Sequence, residues 1–397
     1  MNSKQGSSIN HVEIINQPRH ATKSTYEEPY VQWMWGSHVN PYDLSQTVMW
    51  SPYSDVETEI IEAAFQKKES LVLLDDCRIE LSQFLQISNT EYNLQLPVQR
   101  CLEKPTCKPR IRKNRLQPLD SIVPKVPFVD ENSSEEFVTT VTHQFDLTNK
   151  RFSVPSIIRM MVEKAAEGLI IEGTTVGKPR EAEWLAEQLR QEMNSSQQKV
   201  WACCARLYSK DSFLYRQMNE IMRLVDDGDQ EHEKLWKSKI ISLGPFAWLL
   251  YWMREKDDIC STLVVYRGAT LPDDVIAKFK QANQNNLYCF QAFTSTTRSR
   301  QIADIFGGNV LFIINISAED GIDIQHYSNF QDEEEILLAA SFDFKIKSCE
   351  KVGDKWEIHL ISFWSTDYWT SSSSSFSDLL EDSSLESDNG KIDVVQG

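Results

Sequence analysis

The chain lacks any apolar run long enough to cross a bilayer, so it is not expected to enter a membrane. Its first residues, MNSKQGSSINHVEIINQPRHATK, hold no apolar core followed by a cleavage site. No secretory signal is expected, and an intracellular setting, cytoplasmic or nuclear, follows as an expectation. The 8 cysteines form no CxxC pair and no metal-ligand spacing. No metal is therefore expected, and the thiols are read as reduced; two predicted strands leave Cys289 with Cys349 as the one conceivable bridge. Neither a G-x-G-x-x-G fingerprint nor a glycine-rich phosphate loop occurs, which argues against a nicotinamide oxidoreductase and against a kinase. Positive charge is also short: 41 Lys and Arg against 58 Asp and Glu leave a net charge of -17. Bulk charge then excludes direct nucleic-acid binding by the whole molecule, leaving only a local basic stretch as an exception.

What is present suggests two or three domains in 397 residues, with hydrophobic residues at 41%, enough for real cores. Residues 1–27 are polar and patternless and read as disordered. Residues 28–103 form a first unit. Residues 104–150 mix Pro, Lys, Arg, Ser and Asp without periodicity and read as a linker. Its basic run KPRIRKNR, Lys108 to Arg115, reads as a solvated connector or a nuclear address. Residues 151–364 form a larger second unit, and residues 365–397 a serine-rich, acidic, solvated tail.

The second unit begins helical and ends in strands, giving an α+β fold class. Pro155 starts a helix carrying Ile157, Ile158, Met161, Val162 and Ala165 at helical spacing. Further helices hold Trp184, Leu185 and Leu189, then Leu214, Tyr215, Met218, Ile221 and Met222, then the apolar stretch after Gly244-Pro245. From Thr262 the pattern turns to short β-rich runs: TLVVYRG, LYCFQAFTSTT, NVLFIINI, EEILLAA, FDFKIKS and WEIHLISF. Short helices near Asp273–Lys280 and Arg298–Phe306 interrupt a mostly antiparallel β core.

Three features of this half carry chemistry. Arg267 ends a strand, Ser295-Thr296-Thr297 closes another, and Asp332-Glu333-Glu334-Glu335 runs into Ile336-Leu337-Leu338 without a turn residue. Each has a plain structural account. A strand-end arginine is an ordinary ion-pair partner, a Ser-Thr cluster caps the next helix, and an acidic run is a solvated turn. The acids are the odd case. If the strand already includes them, alternation puts Glu333 and Glu335 on one face, where two carboxylates repel unless a site uses them.

In this order the three resemble the R-S-E class of mono-ADP-ribosyltransferases, which includes arginine-specific animal enzymes and bacterial toxins. The resemblance covers residues 155–362 and includes Tyr208-Ser-Lys-Asp-Ser212, Leu214-Tyr215, Asn219, Met222-Arg223, Phe293, Ala303, Phe306, Leu311-Phe312-Ile313 and Trp356-Glu-Ile358. It implies an ADP-ribosyltransferase fold, a helical lobe on a β core. NAD+ would be the substrate, with NADP+ an alternative, and protein arginines the acceptors. It implies that Arg267 binds the diphosphate, that the Gly268 backbone meets the nicotinamide amide, that Ser295 fixes the Glu335 rotamer, and that Thr297 supports the same wall. Glu335, placed by the apolar Ile336 after it, would stabilise the oxocarbenium-like state as nicotinamide leaves. Glu333 would orient and deprotonate the acceptor guanidinium, a poor nucleophile while protonated. Phe330 would lie against the target side chain. The polymerase class has a His where this chain has Arg267. An NAD+ glycohydrolase would use the same pocket with water, and an adaptor with an inactive transferase fold would keep the fold alone; both stay open.

The first unit has strand-like VQWMW (Val31–Trp35), then Trp50-Ser-Pro-Tyr53, then an amphipathic helix over Asp55 to Gln66 with Ile60, Ile61, Ala64 and Phe65. Leu71 to Leu74, Arg78-Ile-Glu-Leu81 and Leu85-Gln86 follow as strands. The plain account is a small half-barrel with Trp33 and Trp50 in its core. Trp-x-Trp, Trp-x-x-Tyr, Ile61-Glu62 and Leu85-Gln86 with Asn89 make it similar to a WWE domain. That likeness implies contacts to ADP-ribosylated or other proteins, with Gln86 at a ligand-contacting position. A tyrosine expected near Cys77 and a basic residue expected near Leu96 are absent.

Overall fold

A computed structural model describes residues 30–37, 48–90, 94–103, 111–112, 124–130, 135–148, 154–252, 262–317 and 320–363. The N-terminus (1–27) and the tail (365–397) read above as disordered lie outside the described residues, as does the basic run Lys108–Arg115 apart from Ile111 and Arg112.

In the first unit, strands β1 (Tyr30–Ser37), β2 (Met49–Pro52), β3 (Leu71–Leu73), β4 (Cys77–Glu80), β5 (Leu85–Ser88) and β6 (Gln95–Glu103) form a sheet in the order β2-β1-β6-β5-β4-β3. It packs on helix α1 (Asp55–Gln66). The α1 start is fixed by a capping box, in which the Glu57 backbone N–H donates to Ser54 Oγ and the Ser54 N–H to the Glu57 carboxylate. Trp33, Ile61 and Ile79 fill the core without exposure. Trp33 reaches Glu62 through its indole N–H (2.9 Å), and Arg100 clamps the same carboxylate. Trp50, expected in this core, is instead 37% exposed: it lies on the edge strand β2, which has a neighbour on one side alone.

The second unit starts earlier than its hydrophobic pattern suggests. Val129–Asp130 (β7) pairs with Tyr288–Phe290 (β9), and Phe137–Gln144 forms helix α2, both within the stretch read as linker. Phe137, Val138 and Val141 are buried there. Helices α3 (Pro155–Thr175), α4 (Pro179–Gln191), α5 (Gln197–Tyr208), α6 (Phe213–Met222), α7 (Gln230–Ser238) and α8 (Gly244–Trp252) complete the helical part around one large apolar core. Gly168 lets α3 pass against the Ser242 carbonyl before α8, where any Cβ would overlap backbone.

The β part comprises β8 (Thr262–Ala269), α9 (Asp273–Gln281), β9, β10 (Thr294–Thr297), α10 (Arg300–Phe306), β11 (Val310–Ser317), β12 (Gly321–Asp323), β13 (Glu335–Leu338), β14 (Phe342–Val352) and β15 (Lys355–Ser362). Its sheet runs β12-β13-β10-β8-β11-β15-β14-β9-β7. Pairing is antiparallel throughout except β11 with β15. Cys289 and Cys349 both carry free thiols. The described chain is thus mixed helix and sheet, and none of its helices is long and apolar enough to cross a membrane.

Candidate active site

Three adjacent strands, β8, β10 and β13, bring together the residues singled out above. Antiparallel register sets Thr297 opposite Glu335 and Ser295 opposite Leu337. Residues two apart on a strand share a face, so Ser295 is the diagonal neighbour of Glu335. Its hydroxyl donates to Glu335 Oε1. Thr296, on the other face, donates to the Ile336 carbonyl (2.7 Å) and ties the two strands together. On β8, Arg267 Nη1 donates to the Ser295 carbonyl (2.7 Å), which fixes a cation at the same edge. At Gly268 a Cβ would run into the Ala303 carbonyl of α10. The absent side chain therefore lets α10 close on the strand, besides leaving backbone exposed to a ligand. Helix α10 is capped by Ser299, whose hydroxyl accepts from Ile302 N; Thr297 Oγ1 accepts from Ser299 N. The capping role expected of the Ser-Thr cluster thus falls two residues later.

The acidic run does not enter the strand as alternation suggested. Gln331–Glu333 is one turn of 3-10 helix, and Glu334 takes the left-handed conformation (φ 45, ψ 48) before β13 begins at Glu335. A left-handed residue breaks the two-residue repeat, so strand periodicity does not govern Glu333. The two carboxylates nonetheless converge, both buried, at 2% and 1% exposure.

Two carboxylates without a cation are not sustained at that depth. The cation is Arg112, which the sequence placed in a solvated basic connector and which is 3% exposed. Its Nε lies 3.1 and 2.9 Å from the Glu333 oxygens, and its Nη2 bonds Glu333 Oε2 and lies 2.5 Å from Glu335 Oε2. Its Nη1 donates to the Ser209 carbonyl at the end of α5 (2.5 Å), and its backbone N–H to Glu333 Oε1 (2.8 Å). Phe330, preceding the 3-10 turn, sets its ring 5.1 Å from the guanidinium carbon. Sequence reasoning missed Arg112. The available signal was charge balance: two glutamates were assigned to one pocket, and the cation assigned there with them, Arg267, was already given to the diphosphate.

The cleft left between these elements is lined by Arg267, Gly268, Ser295, Thr297, Phe306, Glu333 and Glu335, among others, with interior room of about 20 Å³. Gln86 belongs to the first unit's sheet and is not among the lining residues; its side-chain oxygen accepts from the Tyr53 hydroxyl (2.5 Å).

A family model described as ART, NAD:arginine ADP-ribosyltransferase, matches residues 175–367. The comparison with curated proteins gave no match. Among solved structures, the chain is similar to an ADP-ribosyltransferase toxin from Paenibacillus larvae, at 14% identity over 41% of this chain and 85% of that one, with a TM-score of 0.32. It is similar to exoenzyme S from Pseudomonas aeruginosa, solved with human 14-3-3 protein beta and carba-NAD, at 16% identity over 56% and 99%, TM-score 0.33. It is also similar to the ADP-ribosyltransferase Vis, from Vibrio splendidus, in complex with agmatine, at 20% identity over 41% and 73%, TM-score 0.29.

Proposed function

We propose that this chain transfers ADP-ribose from NAD+ to arginine side chains, a reading supported by the match of residues 175–367 to a family model described as NAD:arginine ADP-ribosyltransferase. The observation that carries the arginine specificity is the pocket formed by Glu333, Glu335 and Phe330, which already holds a guanidinium. A planar cation with five donors matches two carboxylates and an aromatic face far better than a hydroxyl or a lysine ammonium does.

The roles divide by contact. Glu335, with one oxygen held by Ser295, is the carboxylate fixed in advance beside the breaking glycosidic bond. It stabilises the positive charge that grows on the ribose as nicotinamide departs. Glu333 aligns the acceptor guanidinium and takes its proton as the new bond forms. Arg267, anchored on the Ser295 carbonyl, supplies the cation for the diphosphate. Gly268 offers bare backbone to the nicotinamide amide, with Thr297 in the same wall.

For the first unit we propose a WWE-like module. Its half-wrapped sheet on α1 around Trp33 supports that reading. Contact with ADP-ribosylated or other protein partners is the corresponding role, and the engagement of Gln86 by Tyr53 favours protein partners over a free ADP-ribose ligand.

The test uses the purified chain, labelled NAD+ and the arginine analogue agmatine, following nicotinamide release and labelled adduct together. Adduct formed by the wild type and lost in Glu335→Gln supports the transferase. Nicotinamide release without adduct makes the chain a glycohydrolase, and neither product leaves a binding module.

A further inference from the structure

Arg112 stands where an acceptor arginine must stand. A stray surface ion pair would leave the side chain partly in water and its backbone uninvolved. This guanidinium is instead 2% exposed, all three of its nitrogens have partners, and its own backbone N–H is spent on Glu333. The partners are the three residues assigned above to acceptor recognition and reaction: Glu333, Phe330 and Glu335. Arg112 also lies well before residue 175, so the family match gives no account of it.

We propose that Arg112 is an intramolecular acceptor: the chain ADP-ribosylates its own Arg112. This rests on the transferase reading of the same site. Nη2 is the attacking atom, because it alone touches both carboxylates. The bond from ribose C1′ to the nicotinamide nitrogen breaks, and its electron pair leaves with neutral nicotinamide. Nη2 forms the new bond to C1′, and the proton it gives up passes to the Glu333 carboxylate. No electrons are exchanged with any third group. A carboxylate oxygen has more than one acceptor position, so a bond from Arg112 to Glu335 Oε2 does not by itself bar a ribose hydroxyl from the same carboxylate. A tethered acceptor needs no encounter, which places it ahead of free arginines in dilute solution. A guanidinium enlarged by ADP-ribose no longer fits a pocket that buries the bare side chain so fully, so the product vacates the site for other acceptors.

The experiment incubates the full chain with labelled NAD+ and no added acceptor. The protein is then cut with a protease that does not act at arginine, and the label is located by tandem mass spectrometry. Glu335→Gln and Arg112→Lys are run alongside, and all three proteins are assayed on agmatine. The expected result is a label on Arg112 of the wild type, at a rate per chain unchanged by dilution, and absent from Glu335→Gln. Arg112→Lys keeps a cation between the carboxylates but lacks the fork; it should take no label there, and its early agmatine transfer should rise several-fold. Agmatine modified by the wild type with Arg112 never labelled overturns the proposal and leaves the transferase standing. A labelling rate that falls on dilution overturns the intramolecular step. If neither agmatine nor the chain is labelled, the transferase reading itself fails.

Discussion

Glu333 and Glu335 are the same residue type at nearly the same depth, and the roles proposed for them rest on the partners that differ between them. Ser295 holds one oxygen of Glu335, whereas Glu333 turns both oxygens to a guanidinium. Removing the Glu335 charge should therefore slow nicotinamide release and adduct formation together, by about a hundredfold or more, the usual loss when one fixed electrostatic group is deleted. Glu333→Gln should lower agmatine adduct by roughly a hundredfold while nicotinamide release persists, since only proton transfer and acceptor alignment are lost. Chromatography of both products decides it, and equal loss of both would contradict this division. The Ser295–Glu335 contact was expected from the family resemblance alone, since two strand patterns do not say which strands pair or in what register; the β10–β13 pairing supplies both. Arg112 was not legible, because a basic run has no periodicity that marks which of its charges will be buried.

At the scale of elements, strong periodicity read well and weak periodicity did not. Helix α1 has a capping box and an apolar stripe, and its bounds match the expectation. Helix α2, FVTTVTHQ, has no side-chain cap and five of its eight residues are threonine, histidine or glutamine; packing of Val141 against Gly244 in α8 supplies what its own sequence does not. Phe128 is similar: its ring meets Phe279 edge-on and Tyr288 at a tilt, and both lie far along the chain. One element carries a pH dependence. Glu181, in the first turn of α4, accepts the Phe213 N–H at the start of α6 (2.9 Å), and burial pushes its carboxyl up to about 7. The folded state then holds a proton that the unfolded chain releases near its ordinary value of 4.5. Stability should consequently fall as pH rises from about 4.5 through about 7, and level off above. Glu181→Gln keeps an oxygen for Phe213 and removes the titration. The melting temperature of the variant should exceed that of the wild type at pH 8 and approach it at pH 5, and parallel curves would show that Glu181 does not titrate across this range.

Across the whole molecule, the contacts that join the first sheet and its helix to the second unit were not legible in the sequence. Acidic groups of the first unit meet cations and helix N-termini of the second: Asp76 pairs with Lys178, Asp75 accepts from Arg180 N, Asp55 from Asp211 N, and Glu59 from Lys210. Such contacts need both folds before they exist, so no local pattern announces them. The last two hold the turn after α5 whose Ser209 carbonyl binds Arg112, so the first unit braces the side of the cleft where Arg112 sits. Lys210 makes the energetics testable. Its side chain has no exposure, with Glu59 as ion-pair partner and Trp184 under the ammonium at 5.6 Å. Glu59→Ala should cost about 2 kcal/mol: it leaves a buried ammonium without its carboxylate, but Glu59 is 35% exposed, so solvent already screens the pair. Lys210→Met in the same background should recover much of that loss, since the ring of Trp184 then packs on an apolar chain. Denaturant unfolding of the two single variants, the double variant and the wild type closes the cycle. A double variant no more stable than Glu59→Ala would mean that the cost lies in the first unit alone and that the ion pair does not join the two.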